Sequence, residues 1–417
     1  MKKLLRVLGF IIVTSLLIYW LVLSGFHIKE YFIGNDYVDY LNENKKVFDT
    51  DFKLDKEFYE KQLYMVGEMH GFAKSPEIDF KLFKHINERN GVKYYMSEVD
   101  YSQAYFLNKY LVTGQDSIIN YALKNWLVVQ AKNNKDYYQK WKNLYAYNKT
   151  LPQAEKIIVF GCDVLSDSKL FIHHIKELLS KNDFERLFGD SKGLKECIEK
   201  VKIFNSDENL KQSFAKKYGD KMDELVHLFT TLLQTEEQGR EQKIFENFQQ
   251  LYKLYHLENE KIYAFYGFFH TLQEKTAEGY QPLGNKIKNS NLAHAKNMVS
   301  LNMCFQDSKM IMPSASLPSF LQTGPEWSEV GFKYDSLLLF YLEGIKDLKR
   351  TSEENSTTFY KMNSANSPYF KTNRLMNIKM ILPFLENQKI EIDKNLGSAH
   401  YSQYLIFIRN SGAAQPL

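Results

Sequence analysis

The stretch KQLYMVGEMHG, residues 61–71, places an acid and a histidine directly after a short apolar run. The apolar run ends at Gly67, which predicts a buried strand that stops at a turn. Glu68 and His70 lie within this turn, and Gly71 closes it. A plain loop does not need this arrangement, whereas an active site at the end of a buried strand does.

The segments that follow this stretch alternate between helix and strand. Residues 75–91 have the apolar spacing of a helix, with Ser75 able to cap it and Pro76 at its first position. Three further strand-like runs are VKYYMSEVD (92–100), KIIVFGCDV (156–164) and KIYAFYGFFHTLQ (261–273). This alternation predicts an α/β fold with a central, mostly parallel sheet flanked by helices.

Composition divides the chain into four parts. The stretch near 183–258 is charged and poor in strand signals, which predicts a helical insertion. Strand-like runs return after about residue 295, between loops rich in Ser and Asn. The predicted parts are a signal-anchor at 1–26, a linker helix at 27–59, the α/β core with its insertion at 60–295, and a strand-rich part at 296–417 that completes the same domain.

The N-terminus has a basic start followed by a long apolar run from Leu8 to Phe26. About 20 apolar residues span a bilayer, and a secretory signal usually has a shorter core and an A-x-A cleavage site. We therefore expect an uncleaved transmembrane signal-anchor, with a cleaved signal as the alternative. Lys2, Lys3 and Arg6 would stay in the cytoplasm. The remaining chain would then lie outside the cytoplasm, anchored in the cell envelope through residues 8–26.

Charge and cysteine content exclude two classes of protein. The chain has 54 basic and 50 acidic residues, a net charge of +4, and no basic stripe, so we expect no nucleic-acid partner. Three cysteines, Cys162, Cys197 and Cys304, are too few and too scattered for a disulfide framework or a metal motif. We expect them to be buried and inert.

Polar residues end each of the four strand-like runs: Glu68 and His70, then Glu98 and Asp100, then Asp163, and last His270. Ligands of open parallel sheets bind beyond the carboxyl ends of the strands, so these side chains would share one rim. A histidine there can take a proton from water, and a neighbouring carboxylate can orient it. Taken singly, each residue also fits a structural role in a turn, a cap or the core.

Arg240 lies in the predicted helical insertion, within TEEQGREQKIFENF. Its local sequence fits a solvated helix face with charge pairs. The functional alternative is a guanidinium clamp on a carbonyl or oxyanion.

Five segments in this order, VGEMHG, YYMSEVD, IIVFGCDV, REQKIFENF and YGFFHTLQ, resemble the erythromycin esterase-like superfamily. That superfamily also includes ChaN-like haem-binding proteins and the TraB/Tiki membrane hydrolases. The resemblance covers roughly residues 60–290. It implies a hydrolase of an ester, lactone or amide bond in a small-molecule or peptide substrate.

Residue roles follow from the same resemblance. His70 would be the general base on water, and Glu68 and Glu98 would line its pocket. Arg240 would support charge on the reacting carbonyl, and His270 would be the second histidine. The resemblance to the esterases implies hydrolysis without a metal or other cofactor.

Two departures from the esterase motifs shift the expected substrate away from macrolides. The segment YGFFH stands where those esterases carry AHNGH, and no glutamine follows Asp163. Asp163 and Tyr101 are predicted to contact the substrate.

The resemblance leaves two further alternatives open. The spacings Gly67–His70 and Gly267–His270 resemble the GxxH motifs of TraB/Tiki proteins, which implies a divalent metal held by the two histidines and Glu98. The ChaN-like members imply haem, with His70, His270 and Tyr101 as ligands. A non-catalytic envelope protein is the remaining possibility.

Overall fold

The computed structural model describes residues 2–124, 132–189, 191, 193–234, 239–336, 340–380 and 391–417. The helices of these ranges are α1 (Lys2–Ile33), α2 (Asn35–Glu43), α3 (Lys56–Tyr59), α4 (Lys74–Asn90), α5 (Tyr101–Thr113), α6 (Asp116–Lys124), α7 (Lys135–Thr150), α8 (Ser168–Leu178), α9 (Lys181–Phe188), α10 (Leu194–Ser206), α11 (Glu208–Tyr218), α12 (Lys221–Leu233), α13 (Arg240–Leu254), α14 (Leu283–Lys288), α15 (Ile345–Thr351) and α16 (Ser398–Tyr401). The strands are β1 (Lys45–Val47), β2 (Leu63–Glu68), β3 (Tyr94–Ser97), β4 (Ile158–Gly161), β5 (Ile262–Gly267), β6 (Met298–Gln306), β7 (Ser308–Pro313), β8 (Trp327–Phe332), β9 (Phe340–Leu342), β10 (Thr357–Lys361), β11 (Ile378–Met380) and β12 (Tyr404–Arg409).

The central sheet has eight strands in the order β1-β10-β12-β6-β2-β5-β3-β4. The strands from β12 to β4 pair in parallel, and β10 and β1 add antiparallel pairs on one side. The predicted α/β fold with a mostly parallel sheet is therefore confirmed. Because β6, β10 and β12 come from the C-terminal part, that part completes the same sheet.

Helices cover both faces of this sheet. Every residue of β2 is buried. Tyr64 and Val66 belong to one apolar cluster with α4, α5 and α7, whereas Leu63 and Met65 belong to a second with α8–α13. Successive side chains of a strand point to opposite faces, so two apolar layers enclose the strand. Polar residues are therefore expected at the ends of the strands, beyond the two apolar layers.

The regions outside the core differ in how closely they match the prediction. The stretch near 183–258 lies in helices α9–α13 except for connecting turns and residues 190, 192 and 235–238, which lie outside the described residues. The strand-like runs near 334–344 and 377–388 contain the short strands β9 and β11, which pair in a small separate sheet. The rest of those runs falls partly in 337–339 and 381–390, which the structure does not describe. A second small sheet pairs β7 with β8.

The predicted linker helix at 27–59 is not one helix. The chain leaves α1 at Ile33, forms α2, and then adds β1 as the outermost strand of the central sheet beside β10. The short α3 leads into the core. Because β1 has three residues, it is too short to show an alternating pattern in the sequence.

The N-terminal apolar run lies in α1, which has 32 residues. Large apolar side chains along it are exposed, among them Phe10 and Trp20. Its C-terminal end is tied to the body, because Arg374 lies 3.0 Å from the Glu30 carboxylate and 2.7 Å from that of Asp347. In the described part of the chain, no helix has the length and apolarity that crossing a membrane requires. The transmembrane helix that the sequence predicted is therefore not confirmed.

The three cysteines are all buried and free, as expected from their number and spacing. Burial raises the pKa of each thiol.

Candidate active site

The polar residues that end the parallel strands meet at one edge of the central sheet. Glu68 is the last residue of β2 and lies in register with Gly267, the last residue of β5. Glu98 follows β3, and Asp163 follows β4. His270 lies in the short 3-10 turn directly after β5. Because these four strands are neighbours and run parallel, their carboxyl ends deliver the side chains to one place.

Glu98 is the centre of this cluster. Its side chain is 7% exposed and lies within ion-pair distance of four basic side chains. These are Arg240 at 2.8 Å, Lys132 at 3.3 Å, His270 at 3.5 Å and His70 at 3.8 Å. Burial raises the pKa of Glu98, but Lys132 and the two histidines outweigh burial and hold the pKa well below its usual value. Glu98 is thus a buried carboxylate that stays ionised.

His70 lies at the open side of the cluster, with its side chain 32% exposed. Its Nε2 lies 3.5 Å from Glu68 Oε1 and 3.8 Å from Glu98 Oε2. Burial lowers the pKa of His70, but the two carboxylates more than compensate and raise it to about 9. Both carboxylates approach the same ring nitrogen, so Nδ1 is left without a polar contact to any residue that the structure describes.

The side chain of His270 is more deeply buried than that of His70. Its Nδ1 contacts the Glu241 carboxylate, and its Nε2 lies 3.5 Å from Glu98 Oε1. The side chain is 10% exposed. Burial lowers the pKa of His270, but Glu241 and Glu98 raise it to about 9. With a carboxylate at each ring nitrogen, His270 is held as an imidazolium and has no free lone pair.

Arg240 is the first residue of α13 and spans two of the strand ends. Its Nε and Nη2 donate to the two oxygens of Asp163 at 3.0 and 2.5 Å, and Nη2 also donates to Glu98 at 2.8 Å. Its Nη1 lies 3.4 Å from His270 Nε2. Burial lowers the pKa of Arg240, but Asp163 and Glu98 raise it above its usual value. The guanidinium clamp is therefore directed first at the protein's own carboxylates.

Glu68 is fully buried and is held in place by a hydrogen bond from α7. The Tyr137 hydroxyl donates to Glu68 Oε2, while Glu68 Oε1 faces His70. Lys140 lies one helical turn further, with its ammonium 4.6 Å from the centre of the Tyr137 ring and 2.8 Å from Asp79. This buried pair fixes the orientation of the helix that carries Tyr137.

Glycine lets the strand ends approach one another. A Cβ on Gly67 would lie 2.1 Å from Asn302 Oδ1, closer than any real contact allows. A Cβ on Gly267 would instead lie 3.5–3.7 Å from His270, Glu98 and His70, which is ordinary contact distance. Gly67 is therefore required by packing, whereas a methyl group at position 267 would fit at contact distance from the two histidines and Glu98.

The chain matches no protein-family model and no curated protein sequence. Solved structures do match it. A protein of Bacillus cereus superimposes with a TM-score of 0.67 at 12% identity, over 92% of this chain and 99% of that one. A succinoglycan biosynthesis protein gives 0.64 at 14% identity, over 92% and 99%. A variant of the erythromycin esterase EreC in its open conformation gives 0.54 at 11% identity, over 86% and 95%.

The chain has the erythromycin esterase-like fold. This confirms the resemblance seen in the sequence at the level of the fold. The erythromycin esterase-like fold here brings together six of the seven predicted site residues: Glu68, His70, Glu98, Asp163, Arg240 and His270.

Tyr101 is the residue that the fold does not bring to this cluster. Its side chain is buried under the helical layer, where its hydroxyl donates to Glu224 at 3.1 Å and its ring packs against His227. The haem ligand set of His70, His270 and Tyr101 is therefore not assembled. Tyr101 is the first residue of α5, directly after the N-cap residue Asp100, and its side chain packs among the helices and not at the strand ends.

Three residues of the site were missed in the sequence. Glu241 directly follows Arg240, and this adjacency of an acid to a candidate arginine was the available signal. Lys132 precedes α7, and Tyr137 lies in the first turn of α7. A long connection separates both residues from the strand ends. No local pattern marks them.

One group of side chains in the described chain meets the geometry of a metal site. Glu68, His70 and Glu98 each offer one ligand atom, and these atoms lie within 4.8 Å of one another. Two carboxylates and an imidazole suit a divalent cation with open positions for water. The sequence had predicted both histidines and Glu98, but Glu241 occupies His270 Nδ1, and Glu68 takes the place of His270 in the cluster.

Proposed function

We propose that this protein is a hydrolase that uses His70 as the general base to activate water on an ester or amide carbonyl. The observation that carries the proposal is the one-sided pairing of the His70 ring. Two carboxylates face Nε2. In the neutral ring the proton therefore stays on Nε2, and the lone pair of Nδ1 points away from Glu68 and Glu98 to accept a proton from water.

In the proposed reaction His70 first takes a proton from water, and the positive side chains then stabilise the intermediate. Water attacks the carbonyl carbon while its proton passes to His70 Nδ1, and the new imidazolium is stabilised by Glu68 and Glu98. The Arg240 side chain is 44% exposed. Together with the His270 imidazolium it places positive charge at the cluster, where it can stabilise the developing oxyanion. The carbonyl carbon then releases the alcohol or amine, which takes the proton back from His70. The products are a carboxylic acid and the alcohol or amine.

The erythromycin esterase-like fold supports the reaction class, since the erythromycin esterase EreC shares this fold at 11% identity. Such an identity supports no particular substrate. The cluster itself distinguishes the two histidines, because His270 has carboxylates at both ring nitrogens and His70 at one.

A panel of chromogenic esters, lactones and anilides tests the proposal. Turnover by the wild-type chain and a loss of about 10²–10⁴-fold in kcat for His70→Ala are expected, the range typical of a general base. His173→Ala is the matched control, because His173 is half exposed on α8 and pairs with Glu177 away from the cluster. Equal turnover by the His70→Ala and His173→Ala variants, with both folded by circular dichroism, would remove His70 from the mechanism.

A metal-dependent hydrolase is the second candidate, favoured by the convergence of Glu68, His70 and Glu98. A divalent cation there would polarise the carbonyl and lower the pKa of bound water. Elemental analysis of the purified chain, before and after chelation, tests it. Glu68→Gln should then lose metal and activity together, whereas His270→Ala should keep the metal because His270 is outside the group. Full activity after exhaustive chelation contradicts this candidate.

A further inference from the structure

An apolar pocket opens beside the cluster and is not used by the proposed chemistry. It has a volume of about 190 Å³. Its wall includes Met69, Phe268, Leu342, Leu375, Ile378 and Leu405. We call this the acyl pocket.

The acyl pocket is joined to the catalytic residues through the backbone. Met69 lies between Glu68 and His70 in the chain, so one residue of the pocket wall is the direct neighbour of both. Phe268 follows Gly267 and precedes His270 by two residues in the turn after β5. The same two strand ends that deliver both histidines therefore also deliver one wall of the pocket.

The opposite wall comes from the C-terminal part of the chain. Leu405 lies in β12, where it pairs in register with Asn302 of β6, and Asn302 pairs with Gly67 of β2. The pocket thus lies at the level of the strand end that carries Glu68, two strands along the sheet. Leu342 and Ile378, which pair in the small β9–β11 sheet, also line it.

The chemistry of the wall selects an apolar ligand. A tyrosine hydroxyl, that of Tyr334, is directed to the sulfur of Met69 at 3.5 Å and not into the pocket. Methionine is prominent in the wall, at Met69 and three other positions, and this flexible side chain adapts to chains of different shape. None of the described side chains that line the pocket is charged, so a charged group would find no counter-charge there.

The volume sets the size of the group. Pockets for drug-sized ligands have about 300–1,000 Å³, so a macrolide ring does not fit here. An apolar cavity of about 150 Å³ holds benzene, so one of this size accommodates about six to eight carbon atoms. We propose that the acyl pocket binds a medium-length hydrocarbon chain, so that the substrate is a medium-chain ester or amide. This rests on the proposed hydrolase function.

Hydrolysis of p-nitrophenyl acetate, butyrate, octanoate and palmitate by the full chain, without alkyl detergents that would enter the pocket, tests this. The value of kcat/KM should rise from acetate to octanoate and stop rising before palmitate. Ile378→Trp fills the pocket from its partly exposed edge. It should lower kcat/KM for octanoate by about tenfold or more, since each excluded methylene costs about fourfold, and lower the value for acetate by much less. Ile203→Trp, an exposed site on α10, is the matched control and should change neither.

A binding measurement separates the failure of this inference from the failure of the hydrolase proposal. Calorimetric titration with 1-octanol should show saturable one-to-one binding to the wild-type chain and to His70→Ala, and none to Ile378→Trp. Octanol binding without turnover of any ester keeps the acyl pocket and overturns the hydrolase. Turnover without chain-length preference and without octanol binding overturns the acyl pocket. Absence of both turnover and binding overturns both.

Discussion

Glu98 and Arg240 are 142 positions apart in the chain, and the carboxylate of the first accepts a hydrogen bond from the guanidinium of the second at 2.8 Å. Arg240 also holds Asp163, so it joins the ends of two neighbouring strands to the first turn of α13. The helical insertion is in this way fixed directly to the candidate active site. Charge, and not only apolar packing, sets its position.

Glu98→Gln should both destabilise the fold and lower the pKa of the histidines. The substitution removes the negative charge that Arg240, Lys132, His70 and His270 share. Removing one partner of a buried ion pair costs about 3–5 kcal/mol. Urea unfolding should show this loss, and NMR titration should show lower histidine pKa values. Glu329→Gln, which breaks an exposed pair with Lys309, should cost about 0–1 kcal/mol. Equal stability of both variants would contradict the central role of Glu98.

Activity should rise with pH up to about pH 9, where half of His70 is neutral, and should fall above it as His270, whose pKa is also raised to about 9, loses the positive charge that the mechanism uses. A general base must be neutral, and Glu68 and Glu98 raise the pKa of His70 to about 9 against burial, which lowers it. At pH 7 most of the enzyme therefore carries protonated His70. A profile of kcat/KM from pH 6 to pH 10 checks this. A plateau already reached at pH 7 would mean that another group is the base.

Stability should change with pH in the opposite direction. The pKa of His70 is raised from 6.5 to about 9 in the folded chain, so its pairs with the two carboxylates stabilise the fold fully below pH 6.5. This stabilisation is lost as pH rises through 9. Thermal unfolding should accordingly show a higher melting temperature at pH 6.5 than at pH 9.5. The difference should shrink in His70→Ala, whose unfolding serves as the control.

Gly267→Ala should abolish activity without unfolding the chain. Its methyl group would lie 3.5–3.7 Å from His270, Glu98 and His70, and so would fill the space between the rings without a clash. Gly67→Ala is the matched contrast, because its methyl group would overlap Asn302 and Thr271. Overpacking of this kind costs about 1–3 kcal/mol. Calorimetry and ester hydrolysis should separate the two variants; an active Gly267→Ala variant would mean that the substrate does not use this space.

Lys140→Met should destabilise the chain strongly. Lys140 is 1% exposed in its side chain and lies 2.8 Å from the fully buried Asp79. Its loss leaves Asp79 as an unpaired buried acid, at a cost of about 3–5 kcal/mol. The double variant Asp79→Leu/Lys140→Met should recover much of this loss, because it removes both charges. Denaturant midpoints of the two variants check the prediction, and a double variant no more stable than the single one would contradict it.

The sequence predicted the positions of the strands where apolar runs end in glycine or acid. β2, β3, β4 and β5 lie where these runs predicted them, because a strand buried on both faces must be apolar throughout. The short strand β1 carries no such pattern, whereas β9 and β11 lie within strand-like runs, whose strand partners the sequence did not indicate. Their backbone pairing depends on the neighbouring strand, which local sequence does not specify.

The amino-acid pattern alone predicts that Glu68, His70, Glu98, Asp163 and His270 lie at one edge of the sheet, because they follow the carboxyl ends of parallel strands. That these strands are neighbours, so that the side chains meet, depends on the strand order of the folded sheet. The contacts of these side chains with Arg240, Glu241, Lys132 and Tyr137 became visible in the folded chain. The local sequence of Arg240 favoured a solvated helix face over a clamp, Glu241 was marked only by following Arg240, and Lys132 and Tyr137 had no local signal. Their roles depend on how the helices pack over the strand ends, and a helix surface shows in its sequence which face is buried but not which charge it will meet.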